Sequence, residues 1–530
     1  MKTWKRLATM ILAAAMIASL AGCGGKTNQE QQPSNNPGSQ GAQNVQPGEA
    51  SGPVQGGGFV YTADSGVSGW FQPVMSGGSS GNFIWPAMER LARYNQVTEE
   101  VKLELAEKMD VDPEAHTLTI KLREGVHFTD GSEMNADNLI WELQMYLDHG
   151  RASTLNNPTN IEKVDEYTVK VSFDSYDYTI MKSYCNIFMY SKKAYEEHGE
   201  DWYQTNLVGT GPYILDSFET DARVHYVRND NYWREGNYLD EITIEIIKDE
   251  TTRLSAFLNN ETDVISTTTE HVIDQVKAAG FQEMVDVNGN LINVIVNNKA
   301  AGDPFNDLRV RQAVLLYGLD SAGITRAGYG KYAQAWDEMA GADFVNYNPN
   351  QQKAEYNVEK AKALLAEAGY PNGFSTQIHY MGYDSVAATA VQASLIELGI
   401  QAEMVPAEAI ADPRKAGEPG LYVMRQTMNT GNDTTSYLAY GVGPGSYWEP
   451  VVDYSDTYRE ISAKIMETPD RTARVEMGKQ LNEMASVSEC FTRGISLVPR
   501  FIFVNPAIQN YPEALAFTNT PDPSCLWYQK

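Results

Sequence analysis

The sequence predicts an α/β fold, in which helices cover the faces of a sheet. Asn357 begins an amphipathic helix whose apolar residues recur at i, i+3, i+4 and i+7, and the helix ends before Gly369. An alternating strand pattern follows at 374–380, a second helix pattern at 386–398 and another strand pattern at 400–405. Strand–helix–strand order of this kind is typical of a sheet covered by helices.

The first half of the chain also mixes strands and helices. Alternation of apolar and polar residues predicts strands at 103–109, 117–122, 126–128, 223–228 and 241–247. Asn135 is the predicted N-cap of one helix, and another helix is predicted to start near 249–252. Gly209 and Gly211, next to a proline, predict a tight turn with unusual φ angles.

Length and charge exclude several classes of protein. At about 100–200 residues per domain, the 530 residues suggest two or three domains. The net charge of −28 argues against binding to nucleic acid, because phosphates would be repelled. An aromatic content of 10% argues against a mostly disordered acidic chain.

The N-terminus predicts a lipid anchor. Three basic residues precede an apolar run at 7–20, which is too short to span about 30 Å of hydrocarbon and fits a signal peptide. The run closes with Leu-Ala-Gly-Cys, a bacterial lipobox pattern, so 1–22 is the predicted signal peptide and Cys23 the predicted site of diacylation. Residues 23–58 are rich in Gly, Pro, Gln, Asn and Ser and are predicted to form a flexible tether.

Signatures of catalysis, metals and cofactors are not found. The G-x-S-x-G string at 77–81 lies in a Ser/Gly-rich stretch without a preceding strand, so a chance match is the better interpretation. The seven histidines include no pair at i, i+3 or i, i+4, and no metal or cofactor is expected. Cys185, Cys490 and Cys525 allow at most one disulfide, Cys490–Cys525, and three free thiols are the alternative.

Seven blocks of sequence, in this order, resemble the peptide-binding (oligopeptide and dipeptide) family of ABC-transporter solute-binding proteins. They are TLTIKLREGVHFTDG (117–131), VGTGPY (208–213), NDNYW (229–233), YLDEI (238–242), DETTRL (249–254), PFNDLRVRQA (304–313) and KAKALLAEAGYP (360–371). Any one block alone would be a weak signal. Their common order over most of the chain makes the resemblance specific.

The resemblance implies a two-lobed, periplasmic-binding-protein-like (Venus flytrap) α/β fold with an extra subdomain inserted in lobe one. Lobe one is expected at 59–296 plus 497–530, its subdomain at about 94–206, and lobe two at 297–496. The expected hinges lie near 294–298 and 496–503. The lobes would close on the ligand, and the loaded form would dock on a permease driven by ATPase subunits. A monomer without enzymatic activity is expected, held on the outer face of the membrane or in the periplasm by its lipid.

The resemblance also directs attention to a few ligand-binding candidates. In dipeptide binders an Asp after a strand of the second lobe receives the ligand's ammonium, and here Asp433 occupies that position. Another residue of that family, an Arg, binds the ligand's carboxylate, and here Arg425 is the candidate substitute for it. A surface turn is the alternative for Asp433, and core packing is the alternative for the aromatic candidates. The candidates are Asp433, Asn432, Asn429, Arg425, Tyr437, Trp70, Phe71, Trp85, Tyr447 and Trp448.

Three hypotheses about function follow. The first is a peptide-binding protein of an importer, which is the default of the family. The second is the same transport role with an oligosaccharide or another small solute, suggested by the altered loop at Asp433 and the aromatic loops. The third is a surface lipoprotein hydrolase, since a pair of catalytic carboxylates could be hidden among 69 acidic residues.

Overall fold

The computed structural model describes residues 52–67, 69–74, 81–408, 411–427, 433–515 and 520–529. The predicted signal peptide, Cys23, most of the predicted tether, Asn429 and Asn432 lie outside these residues. The described strands are β1 Gly58–Ala63, β2 Ala92–Tyr94, β3 Val101–Leu103, β4 Ala106–Asp112, β5 Thr117–Leu122, β6 Asn160–Lys163, β7 Thr168–Ser172, β8 Tyr213–Glu219, β9 Arg223–Arg228, β10 Glu241–Ile246, β11 Val264–Thr267, β12 Glu283–Val296, β13 Gln334–Ala335, β14 Ser375–Met381, β15 Gln401–Ala407, β16 Leu421–Thr427, β17 Thr492–Val504, β18 Ile508–Gln509 and β19 Trp527–Tyr528.

The α-helices alternate with these strands, and short π-helical segments such as Tyr437–Gly441 supplement them. The α-helices are α1 Gly81–Ile84, α2 Ala136–Asp148, α3 Ile180–Cys185, α4 Lys192–His198, α5 Glu250–Leu258, α6 Glu270–Ala278, α7 Leu308–Gln312, α8 Ser321–Tyr329, α9 Val358–Glu367, α10 Ser385–Glu397, α11 Ala411–Lys415, α12 Asp456–Met466, α13 Arg471–Glu483 and α14 Tyr511–Ala514. Within the described ranges, none of these helices has the length and apolar character needed to cross a bilayer.

Three larger sheets organise the chain. The first has the order β1-β10-β9-β8, the second β4-β5-β7-β6, and the third β11-β17-β12-β16-β14-β15 with β13 added beside β17. We call the part built on the first sheet the first lobe, the part built on the second sheet the insert, and the part built on β16, β14 and β15 the second lobe. Each has its own hydrophobic core, around Tyr226, Leu118 and Val423 respectively.

Two long strands join the lobes. β12 pairs with β17 at 283–286, loses register between Asp286 and Asn290, and then pairs again as far as Ile295. From Asn290 onward, β12 also pairs with β16 of the second lobe. Strand β17 pairs with β11 at 501–504 and with β13 at 496–497. The predicted hinge segments, 294–298 and 496–503, overlap β12 and β17.

Local signals in the sequence set several helix starts. The side chain of Asn135 accepts hydrogen bonds from the N–H groups of Asp137 and Asn138 at the start of α2. Asp249 and Asn357 cap α5 and α9 in the same way. The predicted N-caps Asn135 and Asn357 and the predicted helix start near Asp249 are confirmed, because these short polar side chains satisfy helical N–H groups that lack an intrahelical acceptor.

The turn at Gly209 and Gly211 differs from its prediction. Neither glycine has a positive φ; instead, a Cβ on Gly209 would lie 2.2 Å from the carbonyl oxygen of Ala87, and one on Gly211 would lie 2.5 Å from the same oxygen. Close approach of two backbones therefore requires glycine here.

The three cysteines of the described residues, Cys185, Cys490 and Cys525, are free thiols. The prediction of a Cys490–Cys525 disulfide is therefore wrong, and the alternative of three free thiols is confirmed.

Candidate functional site

The carboxyl ends of three parallel strands meet at one edge of the second lobe. β14 runs parallel to both β15 and β16. At this edge, Thr427 of β16 lies opposite Asn290 of β12, next to the register break between the lobes. Ligands of open α/β sheets bind in the crevice outside the carboxyl ends of the strands. This edge, formed by Met381, Ala407 and Thr427, is therefore the candidate ligand site.

Arg425 is held near this edge by Asp384. Its Nε and Nη2 donate to Oδ1 of Asp384 at 3.2 and 3.1 Å. The hydroxyl of Tyr329 donates to the same oxygen at 3.1 Å, and the guanidinium lies 5.6 Å from the Tyr329 ring and 5.3 Å from the Tyr383 ring. The side chain of Arg425 is 25% exposed, so a fixed cation reaches the surface at the candidate site.

Asp384 is the buried member of this pair. Its side chain is fully buried, and burial raises the pKa of Asp384, although Arg425 and Tyr329 lower it in part. Tyr383, by contrast, is 63% exposed. Sequence analysis missed Asp384, Tyr329 and Tyr383. Asp384 could have been found, since it follows the predicted strand at 374–380 and so belongs to the carboxyl edge.

Asp433 is the first described residue after β16. Its Oδ1 accepts the N–H of Thr435 at 2.8 Å, which caps the helical turn leading into Tyr437–Gly441. Thr434 is fixed by two hydrogen bonds to Asn346, at 2.8 and 3.2 Å. Asp433 also lines a cavity of about 30 Å³ between the insert and the second lobe.

Tyr437 lies inside the second lobe, and Tyr447 and Trp448 lie beside Arg414. Tyr437 is 7% exposed and its hydroxyl accepts a hydrogen bond from Asn293 at 3.2 Å. Trp448 packs edge-on against Tyr422, while Tyr447 is 76% exposed over the guanidinium of Arg414. Of these candidates, Tyr447 offers the largest accessible ring.

The aromatic candidates of the first lobe are in its core. The ring centroid of Trp70 lies 4.7 Å from that of Phe218, and the ring of Phe71 stacks on Tyr203 with 5.1 Å between the centroids. Trp85 is 2% exposed. The indole N–H groups of Trp70 and Trp85 are buried without an acceptor in the described parts of the chain. All three side chains belong to the hydrophobic core of the first lobe, and their role as ligand contacts stays a prediction.

A separate contact joins the insert to the second lobe. Glu99, at the turn between β2 and β3, pairs with Arg474 of α13 at 2.6 Å and with Arg471 at 3.5 Å. The N–H of Tyr178 donates to the carbonyl of Met466 at 3.0 Å. Sequence analysis missed this contact, because its partners lie about 290 to 375 positions apart.

Metal binding finds no support at these sites. No group of three or more His, Cys, Asp or Glu side chains within the described ranges is arranged to hold a metal ion. The carboxyl edge instead offers an arginine, a carboxylate and the exposed ring of Tyr383. Groups of these kinds can hold a solute by hydrogen bonds, charge and ring contacts.

Comparisons with known proteins agree with this architecture. The model of the family "Bacterial extracellular solute-binding proteins, family 5 Middle" matches residues 100–448. Heme-binding protein A of Haemophilus influenzae is 28% identical over an alignment of 347 residues that covers 60% of this chain and 63% of that protein. The dipeptide-binding protein of Escherichia coli is 25% identical over an alignment of 477 residues that covers 81% of this chain and 87% of that protein.

Solved structures show the same fold. The ABC transporter-associated periplasmic binding protein DppA from Helicobacter pylori, solved in complex with the peptide STSA, has a TM-score of 0.75 at 18% identity, covering 90% of this chain and 99% of that one. The predicted two-lobed α/β fold is thereby confirmed.

Proposed function

Because the family model covers more than half of the 530 residues, this chain belongs to family 5 of the bacterial extracellular solute-binding proteins, and on that premise we propose that it captures a peptide for an ABC importer. The family predicted from the sequence is thereby confirmed. Proteins of this family bind solutes, so the chain is not an enzyme. Our proposal adds that a monomer delivers its ligand to a permease with ATPase subunits.

The observation that carries the proposal is the position of the carboxyl edge. The end of β16 lies opposite Asn290 of β12, next to the register break at which β12 and β17 connect the lobes, and the parallel strands β14 and β15 end on the same side of the sheet. A ligand placed there would contact both lobes only when they approach each other. Such a difference in contacts between two arrangements is what allows a ligand to shift their populations.

Charges near this edge suit a free peptide. Arg425 presents a partly exposed guanidinium, which we propose binds the ligand's carboxylate. Asp433 uses one oxygen for Thr435, and a carboxylate can accept further hydrogen bonds, so we propose that it receives the ammonium. The similarity to a dipeptide-binding protein and to a structure solved with the peptide STSA supports a peptide over other solutes.

Another small solute, such as an oligosaccharide, is the second candidate ligand. It is favoured by the exposed rings of Tyr383 and Tyr447, 63% and 76% exposed, since flat apolar faces also stack on sugar rings. A relative named for heme binding shows that a ligand other than a peptide occurs among similar proteins.

The location and domain layout also belong to the proposal. Cleavage before Cys23 and its acylation would anchor the protein to the membrane on the outer face of the cell or in the periplasm, with 23–58 as tether. The proposed domain layout has lobe one at 59–296 and 497–530, with a subdomain at about 94–206, and lobe two at 297–496.

Native mass spectrometry of the mature protein, purified in detergent, tests the ligand class. Peptides of mixed sequence should co-purify, and a peptide library should stabilise the protein against heat. Stabilisation by one glycan without any response to peptides would reject the peptide ligand. Substitution Asp433→Asn should weaken a free-amine peptide by about 1 kcal/mol or more, the scale of a charged hydrogen bond, and should spare an amine-blocked one.

The control for that substitution is Asp230→Asn. The side chain of Asp230 is 82% exposed and lies in the first lobe, away from the carboxyl edge. It should leave the affinity for both peptides unchanged. Equal affinities of the Asp433→Asn variant and the unmodified protein for the free-amine peptide would remove Asp433 from the site.

A further inference from the structure

A groove of about 650 Å³ separates the insert from the second lobe. Its walls on the insert are the segment 173–183 and the turn at Asn156 and Asn157, and its walls on the second lobe include Tyr440 and Met466. Pockets for organic ligands span about 300–1,000 Å³, so the groove has the size of a binding site.

The groove continues the cavity at Asp433. Both spaces are lined by Thr179 and Lys182 on the insert. On the second lobe Ser436 lines the cavity and Tyr440 lines the groove, and these residues are four positions apart along one helical segment. A chain that starts near Asp433 could therefore pass along this segment into the groove.

The lining suits a peptide chain. Neutral hydrogen-bonding side chains alternate with two aromatic rings, and two aspartates stand against one lysine. The polar members are Ser153, Asn156, Asn157, Asp174, Ser175, Asp177, Thr179, Lys182 and Ser183, and the rings are Phe173 and Tyr440. Amide and hydroxyl groups can pair with peptide N–H and C=O groups, and the excess of carboxylates favours a basic side chain.

One buried acceptor in this wall lacks a donor. Nδ2 of Asn156 donates to Oγ1 of Thr179 at 2.8 Å, whereas Oδ1 of Asn156 is buried and finds no donor within the described ranges. Asp177 fixes Thr179 in turn, accepting from its N–H at 2.8 Å and its hydroxyl at 2.6 Å. Asn156, Thr179 and Asp177 therefore form a fixed wall of the groove.

We propose that this groove holds the far end of an extended oligopeptide and prefers a basic residue there. The inference rests on the proposed peptide ligand and extends it, because a dipeptide held at both termini would leave the groove empty. A longer peptide that starts at Asp433 gains contacts with the insert that short peptides lack, and it gives up the contact of its carboxylate with Arg425.

Titration calorimetry with three peptides that share their first three residues tests the groove. One is a tripeptide, and the other two are octapeptides that carry Lys or Ser at position seven. Tyr440→Ala should weaken the octapeptide about tenfold and change the tripeptide less than about twofold, because only the octapeptide reaches the Tyr440 ring. Asp174→Asn should abolish the preference for Lys over Ser.

Tyr356→Ala is the matched control, since Tyr356 and Tyr440 are both 42% exposed residues of the second lobe and Tyr356 does not line the groove. Normal tripeptide affinity of the variants also shows that they are folded. Equal losses of affinity for the tripeptide and the octapeptide, or no loss for either, would overturn the proposal that the groove binds the far end of the peptide. Binding of neither peptide by the unmodified protein would overturn the proposed peptide ligand itself.

A photoreactive residue at position seven of the octapeptide gives an independent readout. Crosslinks should map to 173–183 or to the neighbourhood of Tyr440 and Met466. Crosslinks confined to the first lobe, with the octapeptide bound, would place the far end of the octapeptide elsewhere and overturn the proposal that the groove binds it.

Discussion

Glu99 of the insert and Arg474 of the second lobe form a close ion pair, in which Nη2 lies 2.7 Å from Oε1 and 2.6 Å from Oε2. The Arg474 side chain is 4% exposed, and its guanidinium lies 4.3 Å from the ring of Tyr178, another residue of the insert. Its Nη1 donates to the carbonyls of Thr468 and Pro469. A buried arginine thus fastens the insert to α13.

The first prediction concerns this ion pair. Glu99→Gln should lower the free energy of unfolding by about 1–3 kcal/mol, because it leaves a buried guanidinium without its counter-charge. Urea unfolding measures the loss. A double-mutant cycle with Arg474→Met should give a coupling free energy of the same order, since the two side chains touch.

Glu107→Gln is the control for Glu99→Gln. Glu107 pairs with Lys121 at 2.8 Å, but both side chains are about half exposed, and ion pairs of this kind contribute little to stability. The control should unfold as the unmodified protein does. A Glu99→Gln variant equally indistinguishable from the unmodified protein would contradict a structural role for the pair.

The second prediction concerns the carboxylate that holds the C-terminal segment. Asp522 lies 3.2 Å from Lys102, 4.0 Å from Arg93 and 3.9 Å from Arg234, and its side chain is 4% exposed. Burial raises the pKa of Asp522, but the attraction of Arg93 and Arg234 outweighs it and holds the pKa below its usual value. Asp522→Asn should cost about 3 kcal/mol, measured by urea unfolding at pH 7.

The pH dependence of Asp522 gives a further check. Because the folded pKa is depressed, its contribution to stability is present above about pH 4, the unfolded value, and is lost as the pH falls through the folded pKa. The difference between the variant and the unmodified protein should therefore shrink in acid. A difference that is the same at pH 7 and pH 3 would contradict this account.

Local patterns in the sequence predicted much of the second lobe. The predicted strand, helix and strand between 374 and 405 correspond to β14, α10 and β15, and Asn357 caps α9 as expected. These elements depend on periodicity and on caps, which are visible within a short window. The family motifs then supplied the order of the lobes, which no local pattern contains.

Side-chain partners far apart in the chain could not be predicted in this way. Asp384 and Arg425 are 41 residues apart, and Glu99 and Arg474 are 375 apart. Trp70 and Phe71 are ligand candidates by sequence, with core packing as the alternative, and the structure packs them against Phe218 and Tyr203, from distant segments. Burial depends on which elements meet, and composition near a residue does not report that.

The third prediction concerns a buried glutamate in the second lobe. Glu338 is 6% exposed, and burial raises its pKa to about 7, although Lys353, 4.0 Å away, lowers it in part. A raised folded pKa means that its contribution to stability is present below about pH 4.5 and is lost as the pH rises through about 7. Glu338→Gln should therefore be more stable than the unmodified protein at pH 8, by about 2–3 kcal/mol.

Unfolding midpoints measured from pH 4 to pH 8 check this prediction. The gain from Glu338→Gln should appear between about pH 5 and pH 7 and should be absent at pH 4. Glu107→Gln, at an exposed site, should show no such pH-dependent gain. A Glu338→Gln gain that does not vary with pH would mean that Glu338 does not titrate in this range.

The fourth prediction separates the roles of Arg425 and Asp384 in ligand binding. If Arg425 binds the ligand's carboxylate, Arg425→Gln should weaken a free-acid dipeptide about tenfold and spare the corresponding C-terminal amide, since only the acid carries the charge that the guanidinium attracts. Titration of both peptides measures this. Equal losses for acid and amide would show that Arg425 does not contact the carboxylate.

Asp384→Asn should have the opposite effect on the free acid. The amide oxygen can still accept from Arg425, and the rings of Tyr329 and Tyr383 still flank the guanidinium, but the charge that competes with the ligand is removed. Two charges about 7 Å apart repel by about 2 kcal/mol at an effective dielectric constant of about 20, and screening reduces this. The free acid should therefore bind about three- to tenfold more tightly. Weaker binding would show that the charge of Asp384 is needed to position Arg425.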